Sequence, residues 1–312
     1  MTEGNTVDLK ALQINPLLEK LRTHPFAGKS ENNYFKSFDG TKIFYRKWNP
    51  LKKVEKIIIV AHGMGGHGEF FVLLADRLIE HGILVIAPDY RHHGYSDGEK
   101  GDLIKFKYIL KDYHFFIEFI KKEHPSVPIF LLGESMGGIV TINFAKDFPN
   151  DFSNLSGLIL FAPGVKRDFS KKFKIVLTLI AIPLFLLRFL FPSTRIISAK
   201  GREEEGIKNL IHQQYDKTDP IHLKKLSIRY VFQLFKYMRR TRKIASQISV
   251  PIIIFQGEED KGISPEAVKE FYEKLSSKDK KLILIKDGFH ELFTDPSFQD
   301  KWTVLIDWIN EH

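Results

Sequence analysis

Six short runs of uninterrupted apolar residues constrain this chain more than any other feature: Lys56 to Ala61 (KIIIVA), Ile83 to Ala87, Ile129 to Leu132, Leu158 to Phe161, Ile252 to Phe255 and Leu282 to Ile285. A strand with one face in water alternates apolar and polar residues, whereas a strand buried on both faces reads as a continuous run, usually within a parallel sheet covered by helices. Helical patterns fall between the runs. Ile109, Tyr113, Phe116 and Ile120 recur at steps of four, three and four, so one face of a helix packs inward there. Ser264-Pro265 supplies an N-cap and a first-turn proline for a helix over Glu266 to Leu275, and Phe298 to Ile309 reads as a closing helix. Ahead of the buried runs, Asn33 to Phe38 and Lys42 to Trp48 flank Asp39-Gly40, the signal of an antiparallel hairpin. The expected architecture is α/β, with a mostly parallel central sheet flanked by helices.

This alternation fails between about Val165 and Ala245, where no sheet-like run is seen and Leu223, Leu226, Tyr230 and Leu234 repeat at helical spacing. The expected organisation is an N-terminal extension (1–32), a first part of the core (33–164), a helical cap inserted between the sixth and seventh core strands (165–245), and a second part of the core (246–312). Leu9, Leu12, Leu17 and Leu21 would line a helix in the extension. At 312 residues the chain is long enough for this single interrupted domain.

Cysteine is absent, which excludes disulfides, thiolate metal sites and cysteine nucleophiles. The N-terminus lacks a basic stretch followed by an apolar run, so no secretory signal is expected. The longest apolar stretch, Ile175 to Leu187, has 13 residues and is broken by Pro183, short of the ~20 that a spanning helix needs. The expected location is the cytoplasm, and no pattern in the chain specifies an oligomer.

Two glycine motifs compete to define the chemistry. Gly63-Met64-Gly65-Gly66-His67-Gly68 follows a buried strand and precedes a helix, and Asp89 lies about 20 residues further on, the arrangement of a dinucleotide-binding turn. The same loop can instead turn a backbone N–H toward a developing oxyanion. The second motif, Gly133-Glu134-Ser135-Met136-Gly137, stands between an apolar strand and a helix-forming stretch. That is where a nucleophile elbow lifts a serine hydroxyl above the sheet edge.

A serine hydroxyl needs a base, and the base needs an acid to fix its tautomer. The run Ile252 to Phe255 leads into Gly257-Glu258-Glu259-Asp260, and Leu282 to Ile285 leads into Asp287-Gly288-Phe289-His290. The order Ser135, Asp260, His290 is the order of this architecture. Asp260 is the favoured acid, although spacing alone leaves Glu258, Glu259 and Asp287 as neighbouring competitors. Only a serine hydrolase uses all three residues, which displaces the dinucleotide reading.

With these motifs on the page, the sequence resembles the α/β-hydrolase superfamily and, within it, the monoacylglycerol lipase and lysophospholipase branch. The resemblance rests on His62-Gly63-Met64-Gly65-Gly66-His67, on Asp89 to Gly98, on Gly133-Glu134-Ser135-Met136-Gly137-Gly138, on Gly257 to Asp260 and on Gly288-Phe289-His290. It extends from about residue 33 to the C-terminus, apart from the cap. It implies a Ser135-His290-Asp260 triad, an oxyanion hole made by the N–H groups of Met64 and Met136, an acyl-enzyme intermediate, a lipid monoester substrate and no cofactor. The chain departs from the branch at Glu134, where histidine is common, and at His92, where glycine is common. The same triad also serves short-chain carboxylesterases and prolyl aminopeptidase-like hydrolases. The latter need acidic residues for a substrate amine, for which Glu134 and Glu203 to Glu205 are available.

Other chemistry lacks its motifs. His290-Glu291 begins a zinc-protease pattern that ends in Thr294 rather than histidine, His92-His93 has no further ligands, and no phosphate-binding P-loop occurs. No metal site is expected.

The formal charge of +9 is unevenly placed. Residues 165–245 hold 19 Lys and Arg against 6 Asp and Glu; the rest of the chain holds 28 against 32. Lys166, Arg167, Lys171, Lys172 and Lys174 lead into the apolar stretch. A basic flank beside an apolar segment suits peripheral contact with an anionic membrane rather than nucleic acid.

Overall fold

The computed structural model describes residues 12–22, 30–167, 183, 185–199 and 208–312. Its main sheet has eight strands: β1 (Glu31–Lys36), β2 (Lys42–Trp48), β3 (Lys56–Ala61), β4 (Ile83–Pro88), β5 (Ile129–Glu134), β6 (Gly157–Phe161), β9 (Ile252–Gly257) and β10 (Lys280–Ile285). They lie in the order β1-β2-β4-β3-β5-β6-β9-β10. β1 and β2 pair antiparallel, as the Asp39-Gly40 turn requires, and β2 joins β4 antiparallel; from β4 to β10 every pairing is parallel.

The apolar runs are continuous because their two sets of side chains enter two different cores. Ile57, Ile59, Leu131, Leu158 and Ile252 point to one face, packing under the helices Phe106–Glu123, Met136–Asp147 and Pro265–Glu273. Ile58, Val60, Leu132, Ile159 and Ile253 point to the other, under Val72–Leu78 and Lys301–Glu311. Strand periodicity of two therefore produces two complete apolar layers from one run. Phe106–Glu123 buries Ile109, Tyr113, Phe116 and Ile120, the stripe read from the sequence. Ser264 caps Pro265–Glu273 by accepting from the Ala267 N–H at 3.2 Å.

One expectation between β6 and β9 needs correction, and one feature is added. Besides its helices the segment holds an antiparallel ribbon of β7 (Arg195–Ser198) and β8 (Lys225–Ser227). Strands of four and three residues are too short to display a period, and the two are far apart in the chain, with the helix Leu210–Thr218 between them. Leu223 and Leu226 precede the helix rather than share its stripe, because Ser227 caps it and the helix runs Ile228–Lys243. Most of the apolar stretch Ile175 to Leu187, with Lys171, Lys172, Lys174, Glu203 to Glu205 and Leu9, lies outside the described residues. Near the N-terminus the structure has one short helix, Pro16–Glu19, burying Leu18.

The segment between β6 and β9 is fastened across the carboxyl ends of the strands. The Leu223 N–H donates to the Gly65 carbonyl at 2.9 Å and the Ser227 N–H to the Gly101 carbonyl at 2.8 Å. The Asn143 side chain, buried on Met136–Asp147, donates to Thr241 Oγ1 at 2.8 Å.

β5 turns into the helix Met136–Asp147 with no intervening loop. The turn brings the helix start against β3, and a Cβ on Gly137 would collide with the backbone carbonyl of Ala61. Gly137→Ala is therefore expected to lower stability by about 1–3 kcal/mol, the usual cost of overpacking a tight interior. A shift in the urea midpoint at unchanged slope would measure it; an unshifted midpoint would show that the approach is looser than described.

Candidate active site

Parallel strands place their following loops at one edge of the sheet. Here the ends of β3, β5, β9 and β10 deliver His62 to Gly68, Ser135, Asp260 and His290 to that edge. Ser135 adopts φ 51° and ψ −110°, a backbone conformation rare for a residue with a side chain. Hydrogen bonds hold it there. Its N–H donates to the Phe161 carbonyl at 2.9 Å, and its own carbonyl accepts from Gly138 at 3.0 Å and Gly164 at 2.8 Å. With its main chain so fixed, Ser135 lines a cavity of about 160 Å³ together with Met64, Met136 and His290. Met136 is the first residue of its helix, so its N–H has no intrahelical acceptor and the helix dipole favours negative charge beside it.

Asp260 stands behind His290 rather than on the cavity wall. Its Oδ2 lies 2.7 Å from His290 Nδ1 and accepts from Gln256 Nε2 at 3.1 Å; its Oδ1 accepts the N–H groups of Gly262 at 2.7 Å and Ile263 at 2.9 Å. Burial works against this carboxylate, but the His290 charge and hydrogen bond, with the two backbone N–H groups, hold its pKa below the usual value. Burial likewise opposes charge on His290. Asp260 outweighs it, with a smaller contribution from Glu291, and raises the imidazole pKa to about 9. The other three acids are exposed, and Glu259 pairs with Lys261 at 3.0 Å. The acid beside His290 is Asp260.

The glycine loop after β3 is held from both sides. His62 is buried; its Nε2 accepts the Tyr90 N–H at 3.1 Å, which leaves Nδ1–H to donate to the Gly63 carbonyl at 2.8 Å. Burial keeps this imidazole neutral, with a pKa of about 3. His67 Nε2 lies 2.6 Å from Asp219 Oδ2, and both groups are buried. Burial raises the Asp219 pKa, but the His67 contact more than offsets this and lowers it to about 2. Asp89 is committed elsewhere: wholly buried, it accepts from Gly68 N at 2.7 Å, Tyr95 N at 2.9 Å and Arg46 at 3.2 Å. No oxygen is left for a ribose, which removes the dinucleotide reading. His93 is also internal, with Nδ1 against the Arg91 carbonyl at 3.1 Å and Nε2 2.9 Å from the Tyr230 hydroxyl. Among the described residues no group of His, Cys, Asp and Glu could hold a metal ion.

Sequence reasoning missed a pair of carboxyls. Glu134, one residue before Ser135, and Glu291, one residue after His290, line the same cavity, and each acts on the ionisation of the other. Burial raises both pKa values, Glu134 to about 7 and Glu291 well above the carboxylate range. The adjacency of Glu134 to Ser135 and of Glu291 to His290 was the available signal, but their proximity depends on how β5 and β10 are placed.

Comparisons with known proteins agree with this fold. The family model described as serine aminopeptidase, S33, matches residues 52–297. A monoglyceride lipase of Mus musculus is 29% identical over 257 residues, covering 81% of each chain. A monoacylglycerol lipase of Mycolicibacterium smegmatis is 25% identical over 286 residues, 91% of this chain and 98% of the relative. The crystal structure of a soluble variant of monoglyceride lipase from Saccharomyces cerevisiae, in complex with a substrate analog, superposes with a TM-score of 0.81 at 22% identity, covering 92% of this chain and 96% of that one.

The protonation of His290 gives a direct test of the geometry. A raised pKa means that the ring stays protonated up to about pH 9. Its imidazole NMR resonances should titrate with a midpoint near that value, and Asp260→Asn should bring the midpoint down toward the ordinary ~6.5. An ordinary midpoint in the wild type would show that burial offsets the pull of Asp260 across the 2.7 Å contact.

Proposed function

This chain belongs to the serine aminopeptidase S33 family of α/β-hydrolases, and from that premise we propose that it hydrolyses lipid monoesters, monoacylglycerols in the first place, by serine catalysis. The observation that carries the reading is the placement of Ser135 at a strained strand-to-helix turn in one cavity with His290, itself paired to Asp260. The monoglyceride and monoacylglycerol lipases among its relatives support the choice of ester.

In this mechanism Ser135 Oγ attacks the ester carbonyl as His290 Nε2 takes its proton. Asp260 fixes the tautomer with Nδ1–H toward itself and stabilises the imidazolium. The carbonyl oxygen becomes an oxyanion held by the N–H groups of Met64 and Met136, each contact of this kind contributing about 3 kcal/mol at the transition state. The imidazolium then protonates the leaving alcohol, and water, deprotonated by His290, releases the fatty acid from Ser135. The acyl chain rests on the apolar part of the cavity wall, formed by Ile139, Leu234, Met238 and Ile263.

The cap adds a lipid-surface contact. Phe185, Leu186, Phe189, Leu190 and Phe191 are all exposed, and the Arg188 guanidinium lies over the Phe185 and Phe189 rings at 4.2 and 4.5 Å. Such a patch is large for a surface facing only water. Seated on an anionic bilayer, it would bring the cavity to its substrate. Among the described residues no helix is long and apolar enough to cross a membrane.

A panel of p-nitrophenyl esters of increasing chain length, with monooleoylglycerol, tests the catalytic reading. Activity should favour long chains, rise with pH as His290 loses its proton, and fall by roughly 10⁴-fold or more in Ser135→Ala. Retention of activity in that variant would refute the assignment. In flotation assays the protein should rise with phosphatidylglycerol vesicles at low salt, and a Phe189→Asp/Leu190→Asp variant should stay behind; equal flotation of both would overturn the surface contact.

A further inference from the structure

The mechanism makes no use of Glu134 and Glu291, although both line the cavity beside the reacting serine. Glu134 is 4% exposed, and its Oε1 is buried without a hydrogen-bond partner. An orphaned acceptor of this kind costs stability unless something occupies it. The carboxyl pair has a fixed surround: His212 is buried, with Nδ1 2.9 Å from Thr294 Oγ1 and Nε2 3.5 Å from Asp216, and the Phe70 ring stacks on it at 4.4 Å.

We propose that Glu134 and Glu291 form an acid pair that selects substrates whose leaving group is an uncharged polyol and rejects those carrying a phosphate there. The inference rests on the ester-hydrolase reading and names the substrate class of that site. Two carboxyls lining one enclosed cavity do not both ionise freely; like charge and removal from water favour a proton on one of them. The pair then offers one O–H donor and several acceptor lone pairs, including the unpartnered Oε1 of Glu134. A glycerol hydroxyl both donates and accepts, so neighbouring hydroxyls can satisfy the pair without changing its charge. A phosphodiester in the same place brings a fixed negative charge against a site already holding a net negative charge, and Asp216 adds to the repulsion. His290 and His212 oppose it, and Arg167, His67 and His222 also line the cavity. Arg167 acts on His290 but is not among the groups that shift either glutamate.

The test compares 1-oleoylglycerol with 1-oleoyl-lysophosphatidylglycerol, which has the same acyl chain and glycerol hydroxyls but a constant single negative charge between pH 6 and 9. Both are presented in the same neutral detergent micelles. The readout is the ratio of kcat/KM for the two esters, in which a change in the reactivity of Ser135 toward both cancels. The wild type should favour the uncharged ester by roughly tenfold or more, and Glu134→Gln and Glu291→Gln should each reduce that preference. Should either variant fail to fold, the other decides, and the wild type must in any case favour the uncharged ester. A wild type that favours the phospholipid, or a ratio unchanged by the substitutions, would overturn the proposal. Hydrolysis of p-nitrophenyl butyrate by wild type and not by Ser135→Ala, measured alongside, keeps a failure of selectivity distinct from a failure of the hydrolase reading.

Discussion

The site depends on the reversal of the chain at Ser135. A strand ends and a helix begins with one residue between them, and that residue is held at positive φ by three main-chain hydrogen bonds, to Phe161, Gly138 and Gly164. Such a conformation costs about 1–3 kcal/mol and persists because β5 sits in the middle of the sheet, between β3 and β6. The central position matters in two further ways. It brings the start of the helix against the end of β3, so that the Met136 N–H and the loop after β3 share one cavity, and it puts Ser135 between that loop and the loop that carries His290.

Around this fixed point the remaining groups are held by buried polar contacts from several directions. Asp260 reaches His290 because its Oδ1 is pinned by two N–H groups of its own loop. The glycine loop is held by neutral His62 on the core side and, on the other, by Asp219 and the Leu223 N–H from the segment between β6 and β9. That segment thus covers the cavity and also fixes one side of the loop bearing Met64. Tyr230 adds a link, its hydroxyl lying 2.9 Å from His93 Nε2 and 3.2 Å from Met136 Sδ.

The electrostatic pattern of the site is a balance between carboxyls of opposite state. Asp260 is kept ionised by its histidine and backbone donors, whereas Glu134 and Glu291 lack comparable donors, and burial raises their pKa values. Burial alone does not decide the charge of a carboxyl; the donors that accompany burial do.

The amino-acid sequence by itself determined the parallel sheet, since runs such as KIIIVA must bury both faces, and it placed the elbow, because Gly133 and Gly137 around Ser135 fit only a close turn. It also narrowed the acid to four neighbours after β9 and β10. These readings are local: each depends on residues within one strand and the turn that follows it. What only the tertiary structure decided is non-local. It chose Asp260 over Glu258, Glu259 and Asp287 through a 2.7 Å contact with His290, spent Asp89 on the glycine loop instead of leaving it for a ribose, and paired the short strands β7 and β8. It also joined Glu134 to Glu291, which are 157 positions apart in the chain. Periodicity records which face of an element is buried, but a contact between side chains on separate strands exists only once the sheet order has brought those strand ends together.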